Sequence, residues 1–209
     1  TAGVFVRPVQ PVIYTGTVIL SCEHVLKYDA KVFQPSDVKR NLVGITAQTV
    51  NNRYVDAGIA LCTKSDWENT IVDIGKVNGS YEVTNNDLRY PVQKRGRTTQ
   101  LTYGEIYLIN YSVTLPGGSN MVDQFYIEST TQDPFAEEGD SGSAVLNMQK
   151  QVVGLLWGGV SRFGTASPIK AALNAFLIEM KIEDRAKAPP EPLSMDEIEQ
   201  FRRQYLNEA

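Results

Sequence analysis

The chain has 209 residues, with 20 basic against 24 acidic side chains and 42% hydrophobic residues, enough length to bury about 70% of its unfolded surface without staples. These values exclude disorder, coiled coil and collagen, and a net charge of −4 gives no general attraction to nucleic acid or to an anionic membrane. No apolar run approaches the roughly 20 residues of a membrane span, so neither nucleic acid nor membrane is expected as a partner.

Most of the chain reads as β. Val4-Phe5-Val6, Val12 to Leu20, Leu42 to Val50, Val55 to Leu61 and Leu101 to Val113 are short runs rich in β-branched and aromatic residues. Turn formers such as Asn51-Asn52, Asn85-Asn86-Asp87 and Pro116-Gly117-Gly118 separate them. Gln124 to Ile127, Ser143 to Leu146 and Val152 to Trp157 continue the pattern. Many short strands with turn signals predict an all-β barrel or sandwich rather than alternating βαβ units. Ser167-Pro168 then predicts a helix start, Ser167 capping and Pro168 opening the helix, with Ile169, Leu173, Phe176, Leu177 and Met180 along one apolar face. Residues 183–192, carrying Pro189, Pro190 and Pro192, read as a Pro-rich polar linker. Residues 193–209 read as an amphipathic helix: Ser194 and Glu197 form a capping box, Leu193 staples onto Ile198, and Ile198, Phe201 and Tyr205 make a narrow stripe. That stripe either docks on its own domain or engages a partner or further domain. Cys22 and Cys62 allow one bridge at most, with two buried thiols the favoured reading over that bridge.

The most informative stretch for chemistry is Glu138-Gly139-Asp140-Ser141-Gly142-Ser143-Ala144-Val145. A nucleophilic serine needs a tight, exposed turn with backbone N–H groups aimed at the point where an oxyanion develops; Gly139 and Gly142 permit such a turn. The same residues also suit a plain β-turn. A serine needs a base, and the chain has one histidine, so any Ser–His pair must use His24, delivered just past a buried-looking strand. Asp29, Asp37, Asp56, Asp66, Asp73 and Asp87 are candidates for the orienting carboxylate, with Asp140 a rival by proximity to Ser141. Only Asp56 lies in an otherwise apolar strand, where an unpaired carboxylate would be costly and a histidine N–H would satisfy it. Asp140, beside the serine in a tight turn, is expected to point away from it.

The order His24, Asp56, Ser141, with Gly-Asp-Ser-Gly at the serine, resembles the trypsin-like (chymotrypsin-fold) serine peptidases. Val55-Asp56-Ala57-Gly58-Ile59-Ala60 is similar to the Asp segment of that family. The compact spacings, 32 residues from His24 to Asp56 and 85 from Asp56 to Ser141, resemble a bacterial Deg/HtrA-like branch, and Lys94-Arg95-Gly96-Arg97-Thr98-Thr99-Gln100-Leu101-Thr102-Tyr103-Gly104 resembles a hairpin of a narrow-leaf-peptidase-like branch. Val153 to Gly159 and Ala166 to Ile169 are similar to the strand and helix start that follow the serine. The resemblance covers about residues 3–182 and implies two six-stranded β-barrels over residues 1–182, divided near 80–92, with C-terminal helices after them. It implies a serine endopeptidase of protein or peptide substrates: Ser141 the nucleophile, His24 the base, Asp56 its orienting acid, and the N–H groups of Gly139 and Ser141 the oxyanion hole. No cofactor and no metal are implied. Leu156, Trp157 and Gly158 would pair with an extended substrate. Phe135, Gly158 and residues 164–166 would line the specificity pocket; with no acid at Phe135, a small or medium apolar side chain is the expected preference. The chain does not begin with the Ile-Val-Gly-Gly-type terminus of zymogen-activated members, and no PDZ-like segment follows the resembling region. Lys94-Arg95-Gly96-Arg97 reads as a solvated hairpin turn rather than a nucleic-acid patch.

Overall fold

The computed structural model describes residues 3–9, 16–27, 29–34, 41–63 and 67–180; the expected linker at 183–192 and helix at 193–209 lie outside the described residues. Strands β1 (Val4–Pro8), β2 (Val18–Ser21), β3 (Lys31–Phe33), β4 (Leu42–Asn51), β5 (Asp56–Cys62) and β14 (Ile178–Met180) make one six-stranded sheet, ordered β14-β1-β2-β5-β4-β3. Every residue of β5 is buried. Its side chains alternate between two clusters: Ala57, Ile59 and Leu61 enter the main core, while Ala60 and Cys62 meet Ile19 and Leu26 on the other face. Cover on both faces is why this strand reads as an apolar run from Ala57 onward.

After a hairpin of β6 (Thr70–Ile71) and β7 (Gly75–Lys76), a second set of strands follows: β8 (Pro91–Arg95), β9 (Leu101–Thr114), β10 (Asn120–Ser129), β11 (Ala144–Asn147), β12 (Val152–Val160) and β13 (Phe163–Pro168). They close a barrel in the order β10-β13-β12-β11-β8-β9. The interior holds Val92, Ile106, Phe125, Ile127, Phe135, Val145 and Val153. Ala144, Leu146, Val152 and Leu155, in contrast, join the first sheet in the main core, so the two halves share apolar surface. The seam is also hydrogen-bonded: the Val122 amide donates to the Arg53 carbonyl at 2.7 Å, and Gln124 Nε2 donates to the Tyr54 carbonyl at 3.0 Å.

The helix departs from its expected course. α1 (Ile169–Phe176) buries Ile169, Ala172 and Phe176 but stops there: Leu177 turns left-handed at φ 52° and its amide folds back onto Asn174 and Leu173. Leu177 is exposed rather than on the apolar face, and Met180 belongs to β14, opposite Val6 of β1. Pairing the edge of β1 outweighs continuing the helical spacing. Nor does Ser167 cap the helix; Pro168 holds the cap position without a side-chain bond, and Ser167 Oγ donates inward to Gln124 Oε1 at 2.8 Å.

Candidate active site

β2 is buried throughout and ends in a tight turn, the amides of Val25 and Leu26 both donating to the Cys22 carbonyl at 3.2 and 2.9 Å. The turn keeps Cys22 buried and lifts His24 to the surface, with 42% of its side chain exposed. Asp56 opens β5 beside it. Asp56 Oδ1 accepts the Glu23 amide at 2.6 Å and the His24 amide at 3.4 Å, and Oδ2 is hydrogen-bonded to His24 Nδ1. With Nδ1–H donating, Nε2 is left as the ring's acceptor. The Asp56 hydrogen bond raises the His24 pKa above its ordinary 6.5, with burial opposing. Among the candidate carboxylates, Asp37 and Asp66 lie outside the described residues.

Ser141 sits in a turn made by two left-handed glycines, Gly139 at φ 96° and Gly142 at φ 86°, a conformation that costs other residues. The Asp140 amide donates to the Glu137 carbonyl at 3.0 Å, and the Ser143 amide donates to the Asp140 carbonyl at 3.0 Å. Ser141 Oγ donates to the Trp157 carbonyl at 3.1 Å. The Asp140 carboxylate points away from this hydroxyl into a buried nest: it accepts the amides of Thr98 (2.7 Å), Thr99 (3.3 Å) and Glu137 (3.1 Å), the Thr99 hydroxyl (2.6 Å) and Lys94 Nζ (3.1 Å). Burial pushes its pKa up, but the Thr99, Glu137 and Thr98 bonds and the Lys94 charge outweigh it and hold the carboxyl below the ordinary range. Gly96 is required here, because a Cβ would lie 2.2 Å from Asp140 Oδ1. Thr98 reaches further along the turn, its Oγ1 donating to the Glu138 carbonyl at 2.6 Å. Since a peptide's C=O and N–H point in opposite directions, that bond turns the Gly139 N–H away from Thr98.

Lys94 overturns one expectation. The basic run at 94–97 is not a solvated turn throughout: Arg97 is exposed, but the Lys94 and Asp140 side chains are both fully buried. Burial lowers the Lys94 pKa, with Asp140 opposing. The signal available in the sequence was Asp140 itself: a carboxylate turned away from Ser141 into the protein needs a cation.

One carbonyl joins the two segments. Leu156 O accepts both the Gly142 amide at 2.7 Å and the Cys22 Sγ–H at 3.1 Å. Gly3 packs against the same turn so closely that a Cβ would lie 2.8 Å from the Gly142 carbonyl. His24 and Asp56 are thereby tied to the serine turn across the seam. Gln124 strengthens the tie: fully buried, it accepts the Trp157 indole N–H at 2.8 Å while donating to the carbonyl that precedes Val55 and Asp56.

The substrate-side residues need correction. Phe135 and Leu156 are buried core side chains and line no open surface; the Phe135 ring sits against Gly104 and Gly164. The Leu156 amide donates to the Ser143 carbonyl at 2.9 Å, so both of its backbone groups are used within the protein. Trp157 and Gly158 are half-buried, and a Cβ on Gly158 would meet open space. A cavity of about 520 Å³ opens beside the serine loop, lined by Thr98, Ala136, Glu137, Glu138, Gly159 and Ser161. Cys22 and Cys62 are buried thiols, not joined to one another. Burial, aided by the Asp56 charge, pushes the Cys22 thiol well above its ordinary pKa. Among the described residues, Cys22, His24 and Asp56 form a group with metal-ligating atoms within 4.8 Å of one another.

No family model and no curated protein matches the chain. Solved structures do. A glutamic acid-specific serine protease, described as using a histidine triad in substrate binding, aligns with a TM-score of 0.69 and 18% identity over 87% of this chain and 92% of its own. Thermobifida fusca protease A aligns at 0.68 and 22%, covering 87% and 91%, and Nocardiopsis protease at 0.65 and 18%, covering 87% and 92%. The chain has the chymotrypsin fold, and its structural neighbours are serine proteases.

Proposed function

We propose that this chymotrypsin-fold chain is a serine endopeptidase acting on proteins or peptides. Ser141 Oγ attacks the scissile carbonyl carbon and gives its proton to His24 Nε2 instead of donating to the Trp157 carbonyl. The carbonyl electron pair moves onto oxygen, where the N–H groups of Gly139 and Ser141 meet the charge. The intermediate collapses by breaking the C–N bond, and the amine leaves with the proton from Nε2. Water, deprotonated at Nε2, then hydrolyses the Ser141 ester. Asp56 holds Nδ1–H and stabilises the imidazolium; no metal or cofactor enters these steps. The two lobes divide near residues 80–92, and an extended substrate pairs with β12 from Trp157 and Gly158 onward. The accepted side chain is small or medium and apolar. Gly159 meets Ala136 closely enough that a Cβ would lie 2.5 Å from its carbonyl.

The bond between the chain's sole histidine and Asp56 is the observation that carries this reading. A rival is a catalytically silent binding module, favoured by the engagement of the Ser141 hydroxyl with the Trp157 carbonyl. A fluorophosphonate probe separates the two, because only a poised serine is labelled. Labelling at Ser141, lost together with peptide cleavage in Ser141→Ala at unchanged thermal stability, is expected. A wild type that is neither labelled nor active would leave the silent module.

A further inference from the structure

We propose that Cys22, His24 and Asp56 together form an inhibitory site for a borderline-soft divalent cation, Zn²⁺ foremost. Their ligating atoms lie within 4.8 Å of one another. Thiolate, imidazole and carboxylate form a zinc donor set whose bond lengths place tetrahedral ligand atoms roughly 3.5 Å apart. The widest edge must therefore shorten by about 1 Å, which Cys22 supplies by swinging Sγ off the Leu156 carbonyl, its acceptor at 3.1 Å, while the hydrogen-bonded His24–Asp56 edge opens to admit the ion.

Asp56 is a preset ligand, because backbone amides of Glu23 and His24 hold its Oδ1 and so orient the carboxylate as an outer shell orients ligands elsewhere. His24 is the entrance, exposed at the surface above the buried thiol. Mg²⁺ and Ca²⁺ prefer oxygen ligands and find too few here. On coordination the Cys22 S–H bond breaks, the S–metal bond forms and one proton leaves to solvent. Coordination through Nδ1, the ring nitrogen that faces Asp56, disables the base: the ring's one proton is left on Nε2, with no acceptor for the hydroxyl.

The loss of activity rests on the serine-peptidase reading; binding does not. Co²⁺ serves as the spectroscopic probe on the full chain. The expected result is a near-ultraviolet thiolate-to-cobalt absorption that saturates at one equivalent and is bleached by Zn²⁺. It should be absent in Cys22→Ser (or Cys22→Ala, should the serine variant misfold) and retained in Cys62→Ser. In parallel, Zn²⁺ should abolish peptide turnover by the wild type, a chelator should restore it, and Cys22→Ser should keep its turnover at the same Zn²⁺ concentration. No absorption in the wild type, absorption kept in both Cys22 variants, or equal Zn²⁺ sensitivity with and without the thiol overturns the site. A wild type that shows the absorption yet cleaves nothing in metal-free buffer supports the site and sinks the peptidase reading instead.

Discussion

The two segments that meet at the seam are held in opposite ways. His24 stands at the surface on a turn of the first sheet, and its ring is steered by one carboxylate. The serine turn is anchored from below by a fully buried ion pair and by donors from Thr98, Thr99 and Glu137. The difference matches the work proposed for each. A base must exchange protons with a hydroxyl, an amine and water, so it needs access and a tuned pKa. Oxyanion donors must not reorganise as charge develops, so they need a rigid frame.

Asp56→Asn breaks the first segment and should have the largest effect. The amide donates to Nδ1, moving the ring proton to Nε2 and removing the acceptor; turnover should fall about 10,000-fold in peptide hydrolysis. A loss of only a few-fold would mean that the tautomer does not matter.

Lys94→Met attacks the second segment through its foundation. The buried Asp140 charge loses its counterion, and chemical denaturation should show a loss of about 3–5 kcal/mol. Adding Asp140→Asn should recover part of that loss, since the uncompensated charge then disappears. Wild-type stability in Lys94→Met would show that the pair anchors nothing.

Thr98→Val is gentler. It removes the bond to the Glu138 carbonyl, worth about 1 kcal/mol, and kcat should drop about five- to tenfold while KM barely moves. A change confined to KM would place Thr98 in substrate binding instead of in setting the Gly139 peptide.

Much of this arrangement was legible in the chain before its coordinates, for local reasons. Asp56 stood out because a carboxylate inside Val55-Asp56-Ala57-Gly58-Ile59 needs a partner, and Asp140 was expected to turn from Ser141 because adjacent residues in a tight turn diverge. What stayed hidden depended on long-range packing. Lys94 reads as a surface cation until Asp140, 46 residues later, folds beneath it. Phe135 and Leu156 fall on the substrate side only by resemblance, and the barrel interior takes both side chains. The helix stop at Phe176 was invisible because the apolar spacing of Leu177 and Met180 serves either a helix or a return to β1, and only the open edge of β1 decides.

The single histidine permits the most direct test. Its imidazole nitrogen-15 signals, followed from acid to alkaline pH, report one ring alone. Asp56 should hold Nδ1 protonated in the neutral ring and place the midpoint above 6.5, and peptide turnover should fall through that same midpoint as the pH is lowered. A midpoint at or below 6.5, or one far from the activity midpoint, would contradict His24 as a base steered by Asp56.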